Sequence, residues 1–108
     1  MAYIYGIYRG AMFSLDIITG FDWNFGNEKK NAKHGVFPSE AEQVFLNEPV
    51  IILDDPKHSD IEQRYHALGQ TGDGRLLHIT FTIRGDKIRV ISAGDMHRKE
   101  RLIYEQET

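Results

Sequence analysis

The 108 residues contain no cysteine. That excludes disulfides, thiolate zinc sites, iron–sulfur clusters and a cysteine nucleophile. No window approaches the roughly 18 apolar residues that would read as a membrane span, so no membrane association is expected. There is no Gly-rich phosphate loop and no strained serine elbow. The five histidines, His34, His58, His66, His78 and His97, lack helical i, i+4 pairing with a carboxylate, and no cluster of acids suggests calcium or magnesium. Neither a metal nor another cofactor is therefore expected. A large positive charge is missing too: the chain carries 13 Lys and Arg against 16 Asp and Glu, a net charge of −3. Taken whole, that argues against a strongly electrostatic nucleic-acid binder.

What is present fits one small domain, since 41% hydrophobic and 27% charged residues is ordinary globular usage. Residues 1–11 read as an N-terminal extension, of the kind an upstream start codon would add, and 12–108 as the domain. Leu15 to Ile18 predicts a first strand. Asn24 is placed to cap a helix running to about His34, with Gly35 at the following left-handed position. Ser39-Glu40-Ala41-Glu42 matches a capping box, so a second helix is expected from Glu40 to about Leu46, stopped by Pro49. Val50 to Leu53, Tyr65 to Gln70, Leu76 to Arg84 and Lys87 to Ala93 predict four further strands. The last two are joined by the two-residue loop Gly85-Asp86, which sets Arg84 opposite Lys87, Thr82 opposite Arg89 and Thr80 opposite Ile91. Leu77, Ile79, Phe81, Ile83, Ile88 and Val90 then share the core face. A last helix is expected from near Asp95, with Met96, Ile103 and Tyr104 inward. The plan is α+β, in the order β-α-α-β-β-β-β-α, with one antiparallel sheet and the helices on one side of it.

The net charge conceals an asymmetry. Residues 1–54 hold four bases and seven acids, whereas 55–108 hold nine of each. Within 84–101, Arg84, Lys87, Arg89, Arg98, Lys99 and Arg101 face only Asp86, Asp95 and Glu100, a local balance of +3. Such a patch can hold an anion although the chain is acidic, because charges beyond about 8 Å are screened. The plainer alternative is a solvated sheet face studded with charge against edge association. Lys33 and His34, closing the first helix, present a cation beside a near-neutral base, a combination suited to phosphodiester cleavage; helix-dipole complementarity explains them equally well. The polar stretch from Asp54 to Arg64 carries His58 and Glu62, a candidate acid/base pair, and Arg64, whose planar fork of donors suits a phosphate.

Read in order, Phe21-Asp22-Trp23-Asn24, Asn31-Ala32-Lys33-His34-Gly35-Val36 and Glu40-Ala41-Glu42-Gln43-Val44-Phe45 look like the pattern F-x-W-D, N-x-x-K-H-G-V, E-A-x-x-V-F, with one residue fewer here between Asn31 and Lys33. Asp55-Pro56-Lys57-His58-Ser59, Glu62-Gln63-Arg64-Tyr65, Gly74-Arg75-Leu76-Leu77, Phe81-Thr82-Ile83-Arg84, Arg89-Val90-Ile91-Ser92-Ala93 and Glu100-Arg101-Leu102-Ile103-Tyr104 continue it. From Phe21 to Tyr104 the chain resembles the BrnT toxins of type II toxin–antitoxin systems, whose fold is similar to the RelE ribonuclease toxins.

The resemblance implies a bacterial, cytoplasmic ribonuclease that inhibits translation. It also implies neutralisation by BrnA, a ribbon-helix-helix antitoxin, in a heterotetramer centred on the antitoxin dimer, with operator DNA reached only through the antitoxin. RNA, free or on the ribosome, is the implied substrate. Metal-free cleavage would use Arg64 and Arg89 on the phosphate and Lys33, His34 and His58 as acid or base. Glu62 or Glu100 would orient a partner, with Arg101 beside it, and Arg84, Lys87, Arg98 and Lys99 would bind RNA. Besides that spacing, two residue types depart from the pattern. Asn24 replaces an Asp that caps equally well, and Gly94 replaces the arginine that ends the family's I-S-A-R run. The second suggests an attenuated toxin, or a binding module that docks the antitoxin as co-repressor.

Overall fold

The computed structural model describes residues 6–9, 18–32, 34–58 and 61–108. Its elements are β1 (Gly6–Arg9), β2 (Gly20–Phe21), α1 (Phe25–Ala32), α2 (Pro38–Leu46), β3 (Val50–Asp54), β4 (Arg64–Gln70), β5 (Leu76–Arg84), β6 (Lys87–Asp95) and α3 (Arg98–Glu107). A 3-10 turn, Pro56–His58, follows β3. The six strands form one sheet in the order β1-β3-β4-β5-β6-β2. The central pairs β3–β4, β4–β5 and β5–β6 are antiparallel, while β1 and β2 join the edges in parallel. The expected α+β class holds. Residues 15–17 of the expected first strand lie outside the described residues, and β1 falls within the stretch read as an extension.

The helix starts follow local hydrogen bonding. Asn24 Oδ1 accepts the Asn27 N–H at 3.1 Å while Asn27 Oδ1 accepts the Asn24 N–H at 2.7 Å, a reciprocal cap at α1. α1 ends at Ala32, short of His34, and Gly35 takes φ +70° in the turn. α2 begins earlier than Ser39 predicts. Pro38 takes the first turn, where its missing N–H costs nothing, and Glu40 rather than Glu42 reaches back to the Phe37 N–H. Glu42 instead accepts the Trp23 indole N–H at 2.8 Å. α3 begins at Arg98, because β6 continues to Asp95, and Glu100 caps it through the His97 N–H.

The expected one-sided layering is corrected. α1 and α2 cover one face, over a core that includes Ala41, Val44, Phe45, Ala67, Ile79, Phe81, Ile88 and Val90. α3 lies on the opposite face, where Met96 and Tyr104 bury Ile51 and Leu68 with help from Ile103. The sequence pattern contains the reason: Val50-Ile51-Ile52 is apolar without alternation, so β3 needs cover on both faces. Tyr104 fixes the layer by donating its hydroxyl to the Pro49 carbonyl at 2.7 Å. On the other side, a Cβ at Gly69 would stand 2.8 Å from Val44 Cγ1, so β4 approaches α2 more closely than any larger residue permits.

The β5–β6 register departs from expectation at one point. Arg84 pairs Lys87 and Thr82 pairs Arg89, as the hairpin loop requires, and Gly85 has φ +63°. Thr80, however, lies opposite Ser92, not Ile91, because Ile91 is the extra residue of a bulge. The bulge reverses the alternation beyond it. Ala93 turns into the core, and Ser92 and Gly94 turn to the α3 face, with Gly94 directly opposite His78.

Candidate functional site

The α3 face of the sheet carries the polar residues in successive rows. At the hairpin end, Arg64, Thr82 and Arg89 form one row across β4, β5 and β6. Thr82 donates to the Gln63 carbonyl at 2.6 Å. Arg89 is ion-paired to Asp22 at 3.4 Å and Arg84 to Glu62 at 3.8 Å. Lys87 is exposed opposite Arg84. The local balance of +3 read along the chain is thus partly met in space by Asp22 and Glu62, acids from outside that window. The face is not uncovered either, since α3 occupies its far end.

Toward that far end, the row His66–Thr80–Ser92 is followed by Leu68–His78–Gly94. His66 and His78 are diagonal neighbours on adjacent strands, close enough for their rings to meet. His78 Nε2 lies 2.8 Å from His66 Nδ1. Beyond them, His78 Nδ1 reaches Glu100 at 2.8 Å and His66 Nε2 reaches buried Asp55 at 3.1 Å. The four side chains form a linear relay, Asp55–His66–His78–Glu100, spanning from the β3 end to α3.

Each terminal carboxylate accepts an N–H, and the central contact needs one proton more. A donor at all three contacts would put three protons on the two rings, one positive charge in all between two carboxylates. Burial pushes the His78 pKa below its ordinary value, with Glu100 opposing the shift. Thr80 Oγ1 lies 3.1 Å from the same His66 Nδ1, so this nitrogen has two polar neighbours. Among the described residues, no three His, Asp or Glu side chains converge as a metal site would require.

Next to the relay, a cleft of about 450 Å³ opens around Gly94, lined by His34, His78, Ser92, Asp95 and His97. A Cβ at Gly94 would meet no heavy atom within 4 Å. Arg75 ties the cleft's two walls together. It donates to Asp95 at 2.8 Å, to the Gly35 carbonyl beside His34 at 2.9 Å, and to Glu40 at 3.1 Å. Arg75 holds the Asp95 carboxyl below its ordinary pKa. The Phe37 N–H, and then Arg75, do the same for Glu40.

Carboxylates depressed in the folded state add stability above their unfolded pKa values, and that contribution is lost as pH falls through the folded ones. Arg75→Met is therefore expected to lower Tm at neutral pH, with a deficit that shrinks below about pH 4. The groups are solvent-accessible, so the effect is about 1 kcal/mol or less. A deficit constant with pH in thermal melts would contradict this account of Arg75.

The residues singled out in the sequence fall into separate groups. Arg64, Arg89, Arg84, Lys87 and Glu62 gather at the hairpin end. His34 lines the cleft, and Glu100 joins His78. Arg98, Lys99 and Arg101 are exposed on the first turns of α3, with Lys99 also lining a smaller hollow beside His66 and His78. Lys33 and the His58 side chain lie outside the described residues. Sequence reasoning passed over Asp55, His66, His78, His97 and Arg75. The available signal was that His66 and His78 occupy polar positions of adjacent antiparallel strands, a pairing hidden from a search for metal-ligand spacing.

Among the described residues, no helix is long and apolar enough to cross a membrane. Residues 23–100 match a protein-family model described as "Ribonuclease toxin, BrnT, of type II toxin-antitoxin system". No curated protein matches the chain.

Proposed function

The chain belongs to the BrnT family of type II toxin–antitoxin ribonuclease toxins, and from that premise we propose that it is an attenuated, metal-independent endoribonuclease. In this reading it acts in the cytoplasm, inhibits translation, and is neutralised by a BrnA-like ribbon-helix-helix antitoxin. The observation that carries the attenuation is the open space at Gly94, on the His78 face and in a cleft lined by histidines. The family pattern places an arginine there. Without it, the cleft lacks the fork of donors that would neutralise charge building on a scissile phosphate.

The chemistry consistent with this site is attack of a ribose 2′-oxygen on the adjacent phosphorus. Only RNA supplies that internal nucleophile, and no metal is required if side chains move the protons. Arg64 and Arg89 are assigned to flanking phosphates. Their row lies four residues along β5 from His78, about 13 Å at strand rise, too far to share the phosphate held at Gly94. Arg84, Lys87, Arg98 and Lys99 would add weaker, salt-sensitive contacts.

Arg64→Ala and Arg89→Ala are each expected to raise KM for an oligoribonucleotide several-fold, with a smaller effect on kcat. Unchanged KM in both variants, at unchanged Tm, would remove the two arginines from the site. The same open space at Gly94 also favours a second reading, an inactive module that docks the antitoxin as co-repressor.

A further inference from the structure

Three of the chain's five histidines, His34, His78 and His97, line one cleft, and a fourth, His66, is bonded to one of the three. Imidazole is the side chain best suited to exchange protons near neutral pH. The nitrogens of His66 and His78 are engaged within the relay. His34 and His97 are exposed residues that also line the cleft, one in the turn after α1 and one immediately before α3. The cleft volume, about 450 Å³, lies in the range of small-ligand sites, large enough for a nucleotide.

We propose that the cleft around Gly94 holds the RNA bond to be cut, with His34 and His97 as its proton-transferring pair and the Asp55–His66–His78–Glu100 relay as their positioning device. The proposal rests on the ribonuclease reading and its placement of the scissile phosphate, and adds the proton path. One imidazole takes the proton of the ribose 2′-OH as the 2′-oxygen bonds to phosphorus. The P–O5′ bond breaks, and the other imidazolium gives its proton to the departing 5′-oxygen. The products are a 2′,3′-cyclic phosphate and a 5′-OH, with no water consumed and no net change in protons.

The relay acts through Glu100. One carboxylate oxygen accepts the His97 N–H at 2.8 Å while the other holds His78 Nδ1 at 2.8 Å. Through that carboxylate, the bonded pair His66–His78 ties the start of α3, and with it His97, to the sheet. On the opposite wall, Arg75 anchors the Gly35 carbonyl next to His34.

Two measurements on the full chain test this. In the first, an oligoribonucleotide made uncleavable by a single 2′-deoxy substitution is titrated while the imidazole ring signals are followed by NMR. The signals of His34, His78 and His97 are expected to move. In the second, cleavage by His34→Ala and His97→Ala is measured in the Gly94→Arg background, where loss of a general acid or base is expected to lower kcat about 10² to 10⁴-fold with KM and Tm unchanged. As a positioning residue, Glu100 should show a fall in kcat at constant KM in Glu100→Ala. Glu100→Gln, which keeps an acceptor for the His97 N–H, should recover part of it. Persistent cleavage in both histidine variants would overturn the proposal and leave the ribonuclease reading standing. So would ring signals that stay fixed while those of the Arg84–Arg89 hairpin move. Moving ring signals without cleavage by any variant would overturn the ribonuclease reading and the proton path, and would support the cleft as an RNA-binding site.

Discussion

Gly94→Arg is expected to cleave RNA on the order of 10² to 10³ times faster than the parent chain, the size of effect seen when one preorganised donor to a developing oxyanion is gained or lost. The substitution is sterically permitted. A Cβ at Gly94 meets nothing within 4 Å, and the position has no left-handed backbone conformation that a side chain would strain. The guanidinium would enter the cleft beside His78, on the face that the β6 bulge exposes. Fold and stability should change little, since no packed atom is displaced. Growth arrest on expression should be stronger with the variant than with the parent and be relieved by a BrnA-like antitoxin. Equal, measurable cleavage rates in the two proteins would contradict the attenuation, and no cleavage by either would favour the co-repressor reading.

Phe45→Ala is expected to destabilise the domain by about 3 to 5 kcal/mol. Phe45 is fully buried. Its ring meets Phe81 edge-on at 4.9 Å and Phe21 at 5.8 Å, and Phe81 stacks on Tyr65 at 5.4 Å. These contacts link α2 to β2, β4 and β5, so truncation opens a cavity where the helix layer meets the sheet. Native domains are stable by only about 5 to 15 kcal/mol, so a loss of that size removes much of the margin. Chemical denaturation should show a lower midpoint. A change under about 1 kcal/mol would mean that the helix layer closes over the gap, contrary to tight packing around Phe45.

The strands and the hairpin were legible because alternation in Leu77, Ile79, Phe81 and Ile88, Val90 is a direct image of one buried face. The side taken by α3 is not legible in the same way. The unbroken run Val50-Ile51-Ile52 implied cover on both faces, but Tyr104 and Met96 could be assigned to either. The bulge was invisible for a related reason. Simple period-two counting from Val90 puts Ser92 and Gly94 on the core face, and one extra residue at Ile91 reverses them. The family pattern singles out position 94 by residue type alone, and the structure adds that it faces a cleft.

The relay was missed because its members lie in four separate segments, at Asp55, His66, His78 and Glu100. Only strand register and the placement of α3 bring them together. Charge read along the chain failed similarly: the window 84–101 omits Asp22 and Glu62, which reach its arginines from elsewhere in the fold.

The most direct test of a metal-independent ribonuclease is the nature of the new RNA ends made by purified Gly94→Arg in the presence of a chelator. Undiminished cleavage leaving a 2′,3′-cyclic phosphate and a 5′-OH is the predicted result. Cleavage abolished by the chelator, or products ending in a free 3′-OH, would contradict it.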